Sequence, residues 1–282
     1  MRIAGSIVLG TLAVVGCARP LAVVDGSVQS GDGANNDGAS TDGSPTDTPP
    51  IDGPSPDVPG HTPGTPGLGA HAMAFYHLEA SSASSISTPA MATQLSGSTI
   101  VVSVGRGYNP LFALPTDNKG NAPYQQIDTT HAYTRWPDSG TAVYAFTSAS
   151  GGSDFKVSTT TGRNQQGQFD EITLAAVEVI EGSQIKDQQW NEVLAPPHTS
   201  GSVTTTGPAT LIAFWWGDGF PGTPQSATPG SGFALLETNA QERDSFVQCA
   251  VAARNVSAAG TYNVTWTATP TQGAQMWLIA VQ

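Results

Sequence analysis

The sequence predicts an all-β chain: an antiparallel β-sandwich of jelly-roll type with about a dozen strands, preceded by a disordered spacer. Three observations carry this. From Leu68 onward, runs rich in Val, Thr, Tyr and Trp alternate with Gly, Pro, Asn and Asp turns. No long segment repeats its apolar residues with a 3.6-residue period, so strands follow strands without helices between them. Upstream, residues 20–67 carry few large apolar side chains and many prolines, which cannot form a core.

The first element is residues 1–16. Arg2 precedes a largely apolar run from Ile3 to Gly16, followed by Cys17. A stretch of that length with a basic start reads as a signal peptide, too short to span a bilayer as a helix. Val14-Val15-Gly16-Cys17 resembles the lipobox of bacterial lipoproteins. The resemblance implies lipidation of Cys17, cleavage after Gly16, and anchoring in the lipid bilayer through acyl chains such as palmitate, each buried CH₂ contributing about 0.8 kcal/mol. Ala18, rather than Asp, follows the cysteine, which in the Gram-negative sorting pattern favours the outer membrane.

Residues 17–67 then form an acidic linker. Asp32, Asp37, Asp42, Asp47, Asp52 and Asp57 recur every five residues with no Lys or Arg between them. A calcium loop needs carboxylates at alternate positions with a central Gly and a closing Glu, or the Gly-Gly-x-Gly-x-Asp roll, and neither is present. The pentads read as a solvated spacer that repels itself into an extended form, with a reach of roughly 40 Å as a coil and up to roughly 150 Å as polyproline.

Residues 68–282 form the β-sandwich domain. Strands are expected at 71–80, 98–106, 126–134, 140–148, 154–161, 171–180, 202–206, 209–217, 232–238, 245–255, 261–269 and 275–281. "ATLIAFWWG" (209–217) is apolar on both faces and should be central or carry an exposed aromatic surface. "TYNVTWTAT" alternates, with Tyr262, Val264 and Trp266 on the buried face. Cys249 shares a face with Val247 and Val251 and reads as a small core residue, not a nucleophile. "GSTIVVSVGRG", "NKGNAPY", "AYTRWPDSGTAVYAFTSASGG" and "EITLAAVEVIEG" together resemble a loosely defined type of bacterial surface β-sandwich. The order of lipobox, acidic spacer and β-domain resembles lipoproteins of large-genome soil bacteria. That resemblance carries no catalytic residues to transfer.

Composition narrows the function. The formal net charge is −12 and only 11% of residues are charged; an acidic surface repels phosphates, so nucleic acid is not an expected partner. The histidines show no H-x-H or HExxH spacing, and one Cys in the folded part makes neither a zinc site nor an internal disulfide, so no metal and no cofactor is expected. No G-x-S-x-G elbow and no phosphate loop occurs. Glu178 falls on the apolar face of Ile172, Leu174, Ala176 and Ile180, so it must be paired or protonated, as a structural acid with Arg135 or His131 as partner, or as a general acid or base beside Glu181 or Asp218. The six tryptophans are the better hint. Trp136, Trp190 and Trp216 sit beside turn or polar sequence and are candidate ligand-binding residues, set against the usual core role of Trp. "VSTTTG" and "SVTTTG" could present threonine ladders but suit ordinary strand ends equally. The expectation is a non-catalytic, lipid-anchored envelope protein whose sandwich serves adhesion, interaction with a polysaccharide or envelope protein, or envelope structure. A carbohydrate-binding module is the alternative, and a jelly-roll hydrolase the second alternative.

Overall fold

The computed structural model describes residues 62–77, 83–107, 112–163, 167–219, 222, 225–241 and 248–282. The expected signal peptide, Cys17 and nearly all of the expected acidic linker lie outside the described residues. The fold is all-β, with 18 strands and antiparallel pairing throughout the described residues.

Eight strands come first: β1 (Gly67–Tyr76), β2 (Ser85–Ser87), β3 (Ser96–Arg106), β4 (Thr116–Asp117), β5 (Gln125–Ala132), β6 (Gly140–Ser150), β7 (Val157–Thr160) and β8 (Ile172–Ile180). They build a large sheet ordered β1-β8-β3-β6-β5 and a small one ordered β2-β7-β4. Placing the first, eighth, third and sixth strands together, with the second, seventh and fourth opposite, is jelly-roll connectivity. Here the fifth strand pairs with β6 and widens the large sheet.

Ten strands follow: β9 (Ile185–Val193), β10 (His198–Thr199), β11 (Val203–Thr205), β12 (Ala209–Gly217), β13 (Ser226–Pro229), β14 (Ala234–Thr238), β15 (Gln248–Val256), β16 (Gly260–Tyr262), β17 (Thr265–Thr269) and β18 (Ala274–Val281). Their large sheet is β9-β18-β12-β15-β14 and their small sheet β10-β17-β13, while β11 and β16 pair with each other. With those two set aside, the second half repeats the first strand for strand. The registers repeat as well. Thr99 opposes Val179 and Val101 opposes Ala145 in the first half; Thr210 opposes Val281 and Ile212 opposes Ala253 in the second. The chain is therefore a tandem of two jelly rolls, and matching Thr99-Ile100-Val101-Val102 to Thr210-Leu211-Ile212-Ala213 makes Thr99, Val101 and Gly105 the counterparts of Thr210, Ile212 and Trp216.

The two large sheets pack face to face. Val101, Val143, Val177 and Val179 from the first meet Ile212, Phe214, Trp277 and Ile279 from the second. The outer face of the first large sheet (Ile100, Val102, Leu174) is covered by Ile86, Phe155 and Val157. That of the second (Leu211, Ala213, Trp215) is covered by Val203, Val264 and Trp266. Each large sheet is thus buried on both sides, which is why β8, β12 and β18 are apolar without alternation. The expected strand at 209–217 is central, and Val264 and Trp266 point inward. Cys249 is fully buried, and desolvation, with Glu237 adding, raises its thiol well above the usual range. The strands not anticipated are β2, β4, β9, β10 and β13, and the strand expected at 261–269 divides into β16 and β17.

At the interface the halves fit as knob and hole. A Cβ on Gly105 would lie 2.7 Å from Cε2 of Trp216, its own counterpart. The indole fills the space the glycine leaves.

Candidate functional site

Strands β5 and β9 are edge strands of the two large sheets and face each other along one side of the interface. Their residues meet in sequence order. Asp128 and Gln188 line one groove. The His131 ring stacks on Trp190, centroids 3.9 Å apart and planes 8° from parallel. Further on, the Thr134 N–H donates to Glu192 Oε2 at 2.9 Å, and Arg135 Nη2 donates to the Leu194 carbonyl at 2.9 Å. The opposite side, where β1 faces β14, is the counterpart seam.

Beyond β5 the chain makes a tight loop. Tyr133 N–H donates to the Ser139 carbonyl at 2.9 Å, Trp136 N–H to the Tyr133 carbonyl at 3.1 Å, and Ser139 N–H to the Trp136 carbonyl at 2.8 Å. Asp218, just past the end of β12, ties this loop to the second half. Its carboxylate is almost fully buried and accepts from the Tyr133 hydroxyl, the Arg135 guanidinium and, at 2.6 Å, the Gly273 N–H. Burial, with the Asp218 hydrogen bond and charge adding, pushes the Tyr133 hydroxyl far above its ordinary pKa. The same carboxylate raises Arg135 through its hydrogen bond and then its charge. So fixed, the loop presents Trp136 at the surface, 47% exposed, leaning on Tyr133 with centroids 5.5 Å apart. Leu194, whose carbonyl accepts from Arg135, is 40% exposed.

The three candidate tryptophans do not assemble into one platform. Trp136 is on the surface. Trp190 is half-buried in the seam, with one face covered by His131. Trp216 is not at the surface, contrary to the expectation from the polar turn after it. It is 5% exposed in the interface between sheets, and its indole N–H donates to Thr173 Oγ1 at 3.0 Å. The strand stays buried on both faces up to Trp216, and the polar turn begins only beyond it.

Glu178 is buried as expected, but neither Arg135 nor His131 is its partner. It accepts from Ser98 Oγ at 2.6 Å, from the Gln94 N–H at 2.7 Å and from the Ala70 N–H at 3.0 Å. Gly69 makes room for it, because a Cβ there would lie 2.8 Å from the Glu178 carboxyl carbon. Glu178 thus pins β1 and the segment before β3 to β8. Glu181 accepts from the Gly64 N–H at 2.5 Å. The "NKGNAPY" turn is built on Asp117, which accepts from the N–H groups of Lys119 and Asn121 and from the Tyr124 hydroxyl. No group of three metal-ligating side chains occurs among the described residues. The threonine triplets fall on β7 and β11, in the outer layers.

Sequence reasoning missed Asp218 as the organiser of the rim loop and β9 as a strand. The polar "IKDQQWNEV" offers no apolar run. Its residues are polar on both faces apart from Ile185, Trp190 and Val193, so it carries no period-two signal. No protein-family model, no curated protein and no solved structure matches the chain.

Proposed function

We infer that this is a lipid-anchored protein of the cell envelope, held through Cys17 in a membrane, which in a Gram-negative cell is the outer membrane. Its acidic spacer carries a non-catalytic binding domain outward. The observation that supports a binding role is Trp136. Trp136 is 47% exposed on a loop that Asp218 holds in place, so the fold presents an aromatic face to solvent in a fixed position where a partner can cover it. A non-catalytic role fits the acids. The oxygens of Glu178 and Asp218 are taken up by donors that hold strands and loops together. Metabolic labelling with radioactive palmitate tests the anchor. The wild-type chain takes up label and fractionates with membranes, while Cys17→Ser does neither; a Cys17→Ser protein that is labelled and membrane-bound at wild-type level refutes it. Cross-linking in intact cells tests the binding role, with Trp136→Ala expected to lose the wild-type adduct.

The second reading, a carbohydrate-binding module, is favoured by the pairing of Trp136 with Tyr133. Tyr133 is itself buried and backs the indole, so Trp136 offers one exposed aromatic plane, with the exposed Arg135 guanidinium next to it in the chain, and these suit the apolar face and a hydroxyl of a pyranose ring.

A further inference from the structure

The duplication provides an internal control: the two seams of the interface occupy equivalent places, and they differ. In the β1–β14 seam, His71 Nδ1 and Glu237 Oε1 close the edge with a 2.8 Å hydrogen bond. His71 opposes Val177 in the first large sheet and Glu237 opposes Val251 in the second. Their counterparts follow from the repeated register. Gln188 opposes Ile279, and Ile127 opposes Val143. In the β5–β9 seam, then, an amide and an aliphatic side chain stand where the other seam has its closing pair. They cannot make that bond, and the seam stays open as a groove of about 730 Å³.

We propose that this groove binds an uncharged glycan; the proposal rests on the reading of the chain as a binding protein, and it places the site away from Trp136. The floor is apolar, formed by Ile127, Ala145 and Ile185, and suits the C–H face of a sugar ring. The walls carry amides. The side chains of Gln184 and Gln188 have no hydrogen-bond partner among the described residues and open onto the groove. Each amide offers two donors and an acceptor, which matches hydroxyl groups and needs no charge. The lining has no base, and its one acid, Asp128, is engaged by His131 Nε2 at 2.8 Å. A polyanion would meet no cation here and would approach a chain of net charge −12. An extended peptide adding to the edge of β5 is disfavoured too. The strand's register is interrupted between Ile127 and His131, with Asp128 at φ 58°, so no continuous ladder edge is offered.

The test is affinity electrophoresis and titration calorimetry of the full chain against soluble β-glucan, galactomannan and dextran, with alginate as the polyanion. Two groove variants act by different means: Gln184→Ala/Gln188→Ala removes the amides, and Gln188→Trp fills the space. Both positions are at an edge, and unchanged circular dichroism and melting confirm folding. The expected result is binding of at least one uncharged glycan, not alginate, weakened about tenfold or more in both variants. If glycan binding survives both variants but is lost in Trp136→Ala, the groove assignment is overturned and the Trp136 reading stands. If no uncharged glycan binds the wild-type chain, or if the variants change only capture of an envelope protein, the glycan assignment is overturned while the non-catalytic binding role is still judged by cross-linking.

Discussion

Replacing Trp216 with Ala distinguishes a core residue from a ligand residue, and its cost can be worked from the interface. The indole is 5% exposed, stacks near Phe214 with centroids 5.9 Å apart, and donates to Thr173. Trp-to-Ala changes in cores cost about 3–5 kcal/mol. The Thr173 hydroxyl, itself buried, loses its partner and adds about 1 kcal/mol. The sum, about 4–6 kcal/mol, is a large part of the roughly 5–15 kcal/mol that holds a domain folded, and corresponds to a fall in Tm of roughly 10–20 °C for a domain of this size. Equilibrium urea unfolding, followed by far-UV circular dichroism, reads it.

The knob-and-hole geometry makes the prediction sharper. Gly105→Ala alone brings a methyl group against the indole ring and should cost about 1–3 kcal/mol by overpacking. In the Trp216→Ala background the same methyl enters the cavity and should be neutral or slightly stabilising. The cycle therefore carries a coupling of about 2 kcal/mol. If the two changes add to within about 0.5 kcal/mol, the side chains do not meet and the packing of the halves is wrong. If Trp216→Ala costs less than about 1 kcal/mol, Trp216 is not in a core.

Three further perturbations address the polar anchors. Glu178→Ala withdraws the acceptor from Ala70 N–H, Gln94 N–H and Ser98 Oγ, and should cost about 3–5 kcal/mol, with faster amide exchange at Ala70 and Gln94; unchanged exchange there would refute the role. Asp218→Ala removes the acceptor of Gly273 N–H and Tyr133 OH and should cost about 2–4 kcal/mol, with new proteolytic cleavage between Tyr133 and Ser139. Burial, with Asp117 and Asp218 adding for the first two, raises the hydroxyl pKa of Tyr124, Tyr133 and Tyr144, the last to about 12. In the unfolded chain these groups ionise near 10, so from about pH 10 upward the unfolded state binds fewer protons and stability falls with pH, by about 1.4 kcal/mol per pH unit for each such tyrosine. Absorbance at 295 nm should therefore show these three phenolates appearing together with loss of circular dichroism; ionisation of all six tyrosines near pH 10 with the fold intact would contradict it.

The strands that the sequence made legible are those buried on at least one face. Val, Ile and Trp in 98–106, 171–180 and 209–217 announce themselves because water is excluded from both sides of the sheet. The two- to four-residue strands of the outer layers carry too few side chains to show a period, and β9 lies at a polar edge. Glu178 was legible as a buried acid from its face, because face follows from parity. Its partners were not, because two of them are backbone N–H groups brought in from 84 and 108 residues away. Trp136 and Trp216 are both followed by a polar turn, but Trp216 ends an apolar run, and its burial follows from the layer packed on that strand.

The duplication was hidden for a related reason. The counterparts Gly105 and Trp216 differ as much as two residues can, and the interface requires it. Two identical large sheets packed by a two-fold relation would bring like against like, glycine on glycine or indole on indole, leaving a void or a clash. Once both copies lie in one chain, each position is free to change alone, and complementary sizes fill the space. The same freedom applies at the rims. One seam has an acid–histidine closure at His71 and Glu237, and the other has Gln188 and Ile127 in those places. In the interior, divergence between the copies serves packing, as Trp216 over Gly105 illustrates. At an edge open to solvent, packing does not require it, so the β5–β9 seam and the adjoining Trp136 loop are where divergence is free to serve a ligand.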